Sequence, residues 1–128
     1  MNLGFSEEEY DRVRDWLMSA ILISDGQFDE AEMLDRLRAK DWHLITTDHA
    51  ACVLEFCEID GERIANILVI GGEIGASLRE IMIAYSLVCD ALRAMKFSYI
   101  SGQPRKEWHR FLLKYGFEKQ KDELIKRL

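Results

Sequence analysis

The sequence predicts an α/β (α+β) domain, a mixed sheet with flanking helices in the order α-α-β-β-β-α-β-α-(β). Three observations carry this. Helix-start signals with capping-box spacing recur at Ser6/Glu9, Asp29/Glu32 and Ser77/Glu80. Between the second and the third, the apolar period changes from helical to alternating, and Asp60-Gly61 supplies a hairpin signal. From Ala65 to Phe117 the chain then reads as strand, glycine turn, long amphipathic helix, short strand and helix. At 128 residues this is one domain, with an N-terminal helical pair over 1–40 and a sheet-bearing part over 42–128.

Each element has its own justification. Ser6 caps the first helix, Glu9 completes the box, and Phe5 with Tyr10 has hydrophobic-staple spacing. Tyr10, Val13, Leu17, Ala20 and Ile21 recur at helical period until Asp25-Gly26 stops the run. The same punctuation returns at Asp29, with Glu32 three residues on and Phe28 placed to staple Met33. Met33, Leu34 and Leu37 form the apolar side of this second helix, and Arg36, Arg38 and Lys40 suit its negative end. Leu44 to Thr47 then suits a first strand, Ala51 to Ile59 a second, and Arg63 to Ile70 the return strand of the Asp60-Gly61 hairpin.

The run Gly71-Gly72-Glu73-Ile74-Gly75-Ala76 breaks the sheet. A helix follows from Ser77 to Met95, with Ile81, Tyr85, Val88, Leu92 and Met95 as the stripe that packs on the sheet. Phe97 to Ile100 is a short strand, parallel to its neighbour because a helical crossover joins them. Pro104 opens a last helix with Trp108, Phe111, Leu112 and Tyr115 as its apolar face and Gly116 as its C-cap. Leu124 to Leu128 reads as a closing strand or a last helical turn.

Composition excludes several classes. A net charge of −6 disfavours a nucleic-acid partner, and the basic cluster Arg105, Lys106, His109, Arg110 and Lys114 reads as a solvated helix face. The longest apolar runs, such as Ile67–Ile70, are far too short to span a bilayer, so no membrane partner is expected. Glu7, Glu8 and Glu9 stand where a signal peptide needs positive charge, which points to the cytoplasm. Three cysteines without close pairing suggest reduced thiols, and Cys52 and Cys57, five apart in a strand, face opposite ways. His43, His49 and His109 show no ligand spacing, so no metal is expected.

Residues 42–128 resemble the GNAT acetyltransferases, on the glycine turn of Gly71, Gly72 and Gly75, the long helix after it, and the closing Gly116-Phe117. The resemblance implies that the fourth and fifth strands of the family's sheet splay apart. Acetyl-CoA would lie in the notch, with its pyrophosphate on backbone N–H groups at the start of the long helix. Candidate cofactor-binding residues are then Ile70, Gly71, Gly72, Gly75, Ala76 and Ser77. The family pattern Gln/Arg-x-x-Gly-x-Gly/Ala is met best with Gly72 at the Gln/Arg, Gly75 at the central glycine and Ser77 at the last small position. Glu73 and Glu80 flank that turn, with Arg79 as the nearby cation. A carboxylate about 5 Å from a phosphate opposes it by roughly 1–3 kcal/mol.

The family's later signature reads Asn-x-x-Ala-x-x-Phe/Leu-Tyr-x-x-x-Gly-Phe. Phe111, Gly116 and Phe117 match it, whereas Arg105 stands at the Asn, Trp108 at the Ala and Leu112 at the Tyr that commonly acts as general acid. Leucine cannot donate a proton. The remaining catalytic candidates are Tyr115 and Glu62, with Glu55 and Glu58 sharing the strand location of Glu62. His109-Arg110-Phe111-Leu112 with Gly116 also resembles the same helix in small GNAT-like proteins of tailed phages, found among internal virion and head-assembly proteins.

The first expectation is therefore a GNAT-fold protein with an eroded acetyl-CoA site. It would serve as a non-catalytic phage virion, head-assembly or accessory protein, with a protein partner and no cofactor, in the host cytoplasm or virion interior. Its notch would be filled by Trp108, Leu112 or Tyr115. The alternative is a divergent acetyl-CoA-dependent N-acetyltransferase, with an open V between the strand ending at Ile70 and the strand Phe97–Ile100.

Overall fold

The computed structural model describes residues 1–23, 28–73, 75, 78–102, 118–120 and 123–128. The elements are β1 (Asn2–Leu3), α1 (Glu7–Ile23), α2 (Glu30–Arg38), β2 (Trp42–Thr46), β3 (Ala50–Ile59), β4 (Glu62–Gly72), α3 (Leu78–Ala94), β5 (Tyr99–Gly102), β6 (Glu118–Gln120) and β7 (Glu123–Arg127). They form one mixed seven-stranded sheet in the order β1-β2-β3-β4-β5-β7-β6. Only the β4–β5 pair is parallel among these described strands, as the helical crossover through α3 requires. No described helix is long and apolar enough to cross a membrane.

The helix starts follow their sequence signals. The Glu9 backbone N–H donates to Ser6 Oγ at 3.1 Å, and that of Glu32 to Asp29 Oδ1 at 2.9 Å. Phe5 packs against Tyr10 with ring centroids 6.1 Å apart. The ends of α2 and α3 carry no glycine. Lys40 and Lys96 take the left-handed conformation, with φ of 64° and 68°. Each closes a Schellman-type end: Asp41 N–H reaches Arg36 O at 2.9 Å, and Phe97 N–H reaches Leu92 O at 3.0 Å. Asp60 and Gly61, at φ of 53° and 80°, make the type I′ turn of the β3–β4 hairpin.

Two cores sandwich the sheet. On one face α1 and α2 bury Tyr10, Val13, Leu17, Ile21, Met33 and Leu37 against Trp42, Leu44, Val53 and Val69. On the other, α3 buries Cys89 and Leu92 with Ala65, Phe97 and Ile100. The stripe of α3 thus passes through Cys89, while Met95 is exposed.

Several boundaries differ from the sequence reading. The chain opens with β1, a two-residue strand too short to leave a periodic signal. Phe97 belongs to the α3 corner and β5 starts two residues later, at Tyr99. The C-terminal segment is the strand β7, paired with both β5 and β6. The break placed at Gly71-Gly72 is strand: β4 runs to Gly72, opposite Ala50. A Cβ at Gly71 would stand 2.4 Å from the Trp16 carbonyl oxygen, so this glycine lets the α1 backbone lie directly on β4. The helix expected after Pro104, with Trp108, Leu112, Tyr115 and Gly116, lies outside the described residues.

Candidate functional site

The parallel junction of β4 and β5 is a seam at the centre of the sheet. β4 and β5 pair from Ile64 with Tyr99 to Ile67 with Gly102, and no further among the described residues. β4 itself runs five residues beyond that last rung, still paired to β3 on its other edge. Opposite Val53 and Leu54 the register slips, so Leu68 is an extra residue in β4. Such a bulge bends the strand and increases its twist. Among the described residues, the β5-side edge of 68–72 has no partner strand. Strand backbone on an open edge presents N–H and C=O groups to whatever enters.

α3 begins six positions after the end of β4. A 17-residue helix places unpaired N–H groups and a partial positive charge at its N-terminal end. Gly75, in the turn before it, has φ of 83°. The carboxylates expected to oppose a phosphate here are engaged by His49, in the β2–β3 turn. Glu80 accepts the His49 backbone N–H at 3.0 Å and also contacts its Nδ1. The Thr47 hydroxyl, and then His49, hold the Glu80 carboxyl below the usual carboxylate range. Glu80 in turn raises the imidazole pKa above its ordinary value, and Glu73 stands 3.8 Å from Nε2. Arg12 of α1 fixes that turn from the other side, donating to Thr47 O at 2.8 Å and Asp48 O at 3.1 Å.

Of the cofactor candidates, Ile70, Gly71 and Gly72 lie on β4 past its last described rung with β5, and Gly75 lies in the turn that follows. Ala76 and Ser77 lie outside the described residues, as does Tyr115. Glu62 is the first residue of β4, paired with Ile59 at the hairpin and 3.8 Å from Arg127. Five strand residues separate it from Ile67, roughly 16 Å at the usual rise. Glu58 sits beside the same hairpin, opposite Arg63. Glu55 is different: it lies opposite Asn66, one rung before the last described pair of β4 with β5.

That rung is polar. Trp42 pairs with Glu55, Glu55 with Asn66, and Asn66 with Ser101, so the four side chains share one face of the sheet. It is the α1/α2 face, since Trp42 belongs to that core. Trp42 Nε1–H donates to Glu55 Oε2 at 3.2 Å, and Ser101 Oγ donates to Asn66 Oδ1 at 3.1 Å. Neither Asn66 nor Ser101 belongs to a recognisable motif. Only the strand register, which brings residues 42, 55, 66 and 101 into line, reveals the row.

A mixed sheet whose one described parallel pair is joined through α3, with α1 and α2 on the other face, has the GNAT acetyltransferase fold. Solved structures agree along the whole chain. A GNAT-family acetyltransferase from Listeria monocytogenes superposes with a TM-score of 0.61 at 15% identity, over 99% of this chain and 94% of that one. A Brucella melitensis GNAT-family acetyltransferase in complex with acetyl-CoA gives 0.66 at 13% identity, over 99% and 87%. FeeM, an N-acyl amino acid synthase from uncultured soil microbes, gives 0.74 at 10% identity, over 98% and 88%. No protein-family profile matches the sequence, and no curated protein matches it.

Proposed function

We propose that this chain is a divergent acetyl-CoA-dependent N-acetyltransferase. The observation that carries the reading is the seam: β4 continues through Gly72, five residues past its last described rung with β5 at Ile67. An edge of main-chain donors and acceptors beside a helix N-terminus fits an elongated ligand with amide groups and a pyrophosphate. Acetyl-CoA has both, and it supplies an acyl group activated as a thioester. Residues 68–72 would hold its amide-bearing arm and the start of α3 its phosphates. Two of the similar structures are described with such ligands, acetyl-CoA in the Brucella protein and a CoA-based bisubstrate analogue in Arabidopsis thaliana Naa50. The pairing of Glu80 with His49 supports the reading further, since it draws a carboxylate toward the imidazole and away from the helix-end N–H groups.

The competing reading is a non-catalytic phage virion or assembly component that works through a protein partner. It rests on Leu112 at the general-acid position and on the resemblance of His109 to Leu112, all outside the described residues. Calorimetric titration of acetyl-CoA into the purified protein separates the two. Saturable binding at micromolar concentration is expected. Absence of heat and of thermal stabilisation at millimolar ligand would return the chain to the scaffold reading.

A further inference from the structure

Along α3, Met82, Tyr85, Ser86, Cys89 and Arg93 recur at helical spacing, so they share one side of the helix. Across from them, Lys126 of β7 shares a rung with Ile100 of β5. Ile100 is buried with Cys89 and Leu92, so Lys126 rises on the α3 face of the sheet. Between helix and strand lies a cavity of about 270 Å³, lined by these six side chains.

Its walls divide by chemistry. Met82, the Tyr85 ring and Cys89 are apolar, whereas Arg93 and Lys126 bring cations from two elements. The buried Cys89 thiol registers both charges. Burial pushes its pKa up, while Tyr85, Arg93 and Lys126 each pull it down. Held as a neutral thiol, Cys89 is a small apolar contact and offsets none of that positive charge. Arg93 Nη1 donates to Asp90 Oδ1 at 3.0 Å. A guanidinium has five N–H donors in a planar fork, so that bond leaves donors for a second acceptor. Lys126 is half-buried, where an ammonium gains from a nearby counter-ion.

Size narrows the ligand. An apolar cavity of about 150 Å³ holds a benzene ring. The larger volume here admits such a ring together with a carboxylate-sized group. It falls below the range of about 300–1,000 Å³ usual for drug-sized ligands. A flat ring suits these walls, because a thioether and a phenol ring both make favourable contacts with aromatic groups.

We infer that the α3–β7 cavity binds a small aromatic acid, its ring among Met82, Tyr85 and Cys89 and its anionic group between Arg93 and Lys126. Ser86, exposed on the helix, adds a hydroxyl donor at the rim. Cys89 lies eleven residues beyond Leu78, roughly 16 Å along the axis. The cavity is therefore separate from the helix start proposed for the cofactor phosphates, and it does not depend on the transferase reading.

Benzoate titrated into the full chain, followed by backbone-amide NMR, tests the site. Saturation at millimolar benzoate is expected, with shifts centred on Ser86, Cys89 and Lys126. Benzyl alcohol and benzylamine should bind roughly tenfold more weakly, and hexanoate several-fold more weakly. Lys126→Met keeps the apolar stem and removes the charge, and Ser86→Tyr fills the cavity from an exposed helix position. Each should weaken benzoate roughly tenfold with melting unchanged. Ser86→Tyr keeps the test decisive should Lys126→Met fail to fold.

No saturable shift, an equal response to benzyl alcohol or hexanoate, or full affinity in Ser86→Tyr each overturns the site. Shifts centred on Gly75 and Arg79 would put the anion at the helix start and overturn it as well. Acetyl-CoA, titrated separately, decides the transferase reading, and neither result decides the other.

Discussion

Gly71 shows how one residue can carry a structural duty that its neighbourhood disguises. In sequence it is part of a glycine cluster ahead of a long helix, which suggests a phosphate turn. In the structure it is a strand residue on which the Trp16 carbonyl rests, 2.4 Å from where a Cβ would be. Backbone cannot yield as a flexible side chain does, so Gly71→Ala must push α1 off β4. The expected loss is about 1–3 kcal/mol, read as a lower midpoint in urea at unchanged slope. Glu9 is a second such residue. It completes a capping box by spacing, yet its carboxylate bonds Arg12, Thr46 and Asn2, joining α1 to β2 and β1. Those bonds, that of Arg12 foremost, hold its carboxyl near a pKa of about 2. A lowered folded pKa gives stability that is complete above the unfolded value near 4.5 and lost as pH falls toward 2. Glu9→Gln should therefore lower the melting temperature at pH 7 and show a shallower decline between pH 5 and 2.

The elements explain what could and could not be read in advance. Helix starts were legible because a cap is a local event: Ser6 and Asp29 bond N–H groups three residues on, as their spacing announces. Asp29→Ala should cost about 1 kcal/mol in an equilibrium denaturant titration, since the Glu32 N–H loses its partner. The β3–β4 hairpin was legible for the same reason, Asp60-Gly61 being suited to two positive φ values. Helix ends were less so, because Lys40 and Lys96 fill left-handed positions where glycine is the usual signal. The parts of the site made by pairing were invisible. Whether β4 stays beside β5, and whether residue 66 lines up with 55 and 101, are properties of register and of the bulge at Leu68. A one-residue slip would turn Asn66 to the opposite face. Glu62 and Glu55 are thus equal candidates on paper, whereas the folded sheet separates them by the length of the hairpin.

At the scale of the whole molecule, three distant segments converge at the β2–β3 turn: Arg12 from α1, His49 of the turn itself and Glu80 from α3. On the proposed function, the convergence would make acetyl-CoA affinity depend on pH. Protonated His49 offsets Glu80, and Glu73 is near enough to share that charge. Because Glu80 raises its pKa, His49 keeps the proton somewhat above pH 6.5 in the folded protein. Its contribution to stability is then complete below 6.5 and lost as pH rises through the raised value. The same deprotonation leaves Glu73 and Glu80 uncompensated beside the proposed phosphate position. Acetyl-CoA should consequently bind more weakly at pH 8.5 than at pH 6, by roughly three- to fivefold for one exposed charge at about 5 Å in water. Calorimetry across that range measures it, with dephospho-CoA as a control for the ligand's own titration. His49→Gln should flatten the profile at the weaker, high-pH level, and added salt should compress it because the charges are exposed. A profile that keeps its slope in His49→Gln would place the titrating group elsewhere and detach the β2–β3 turn from the cofactor site.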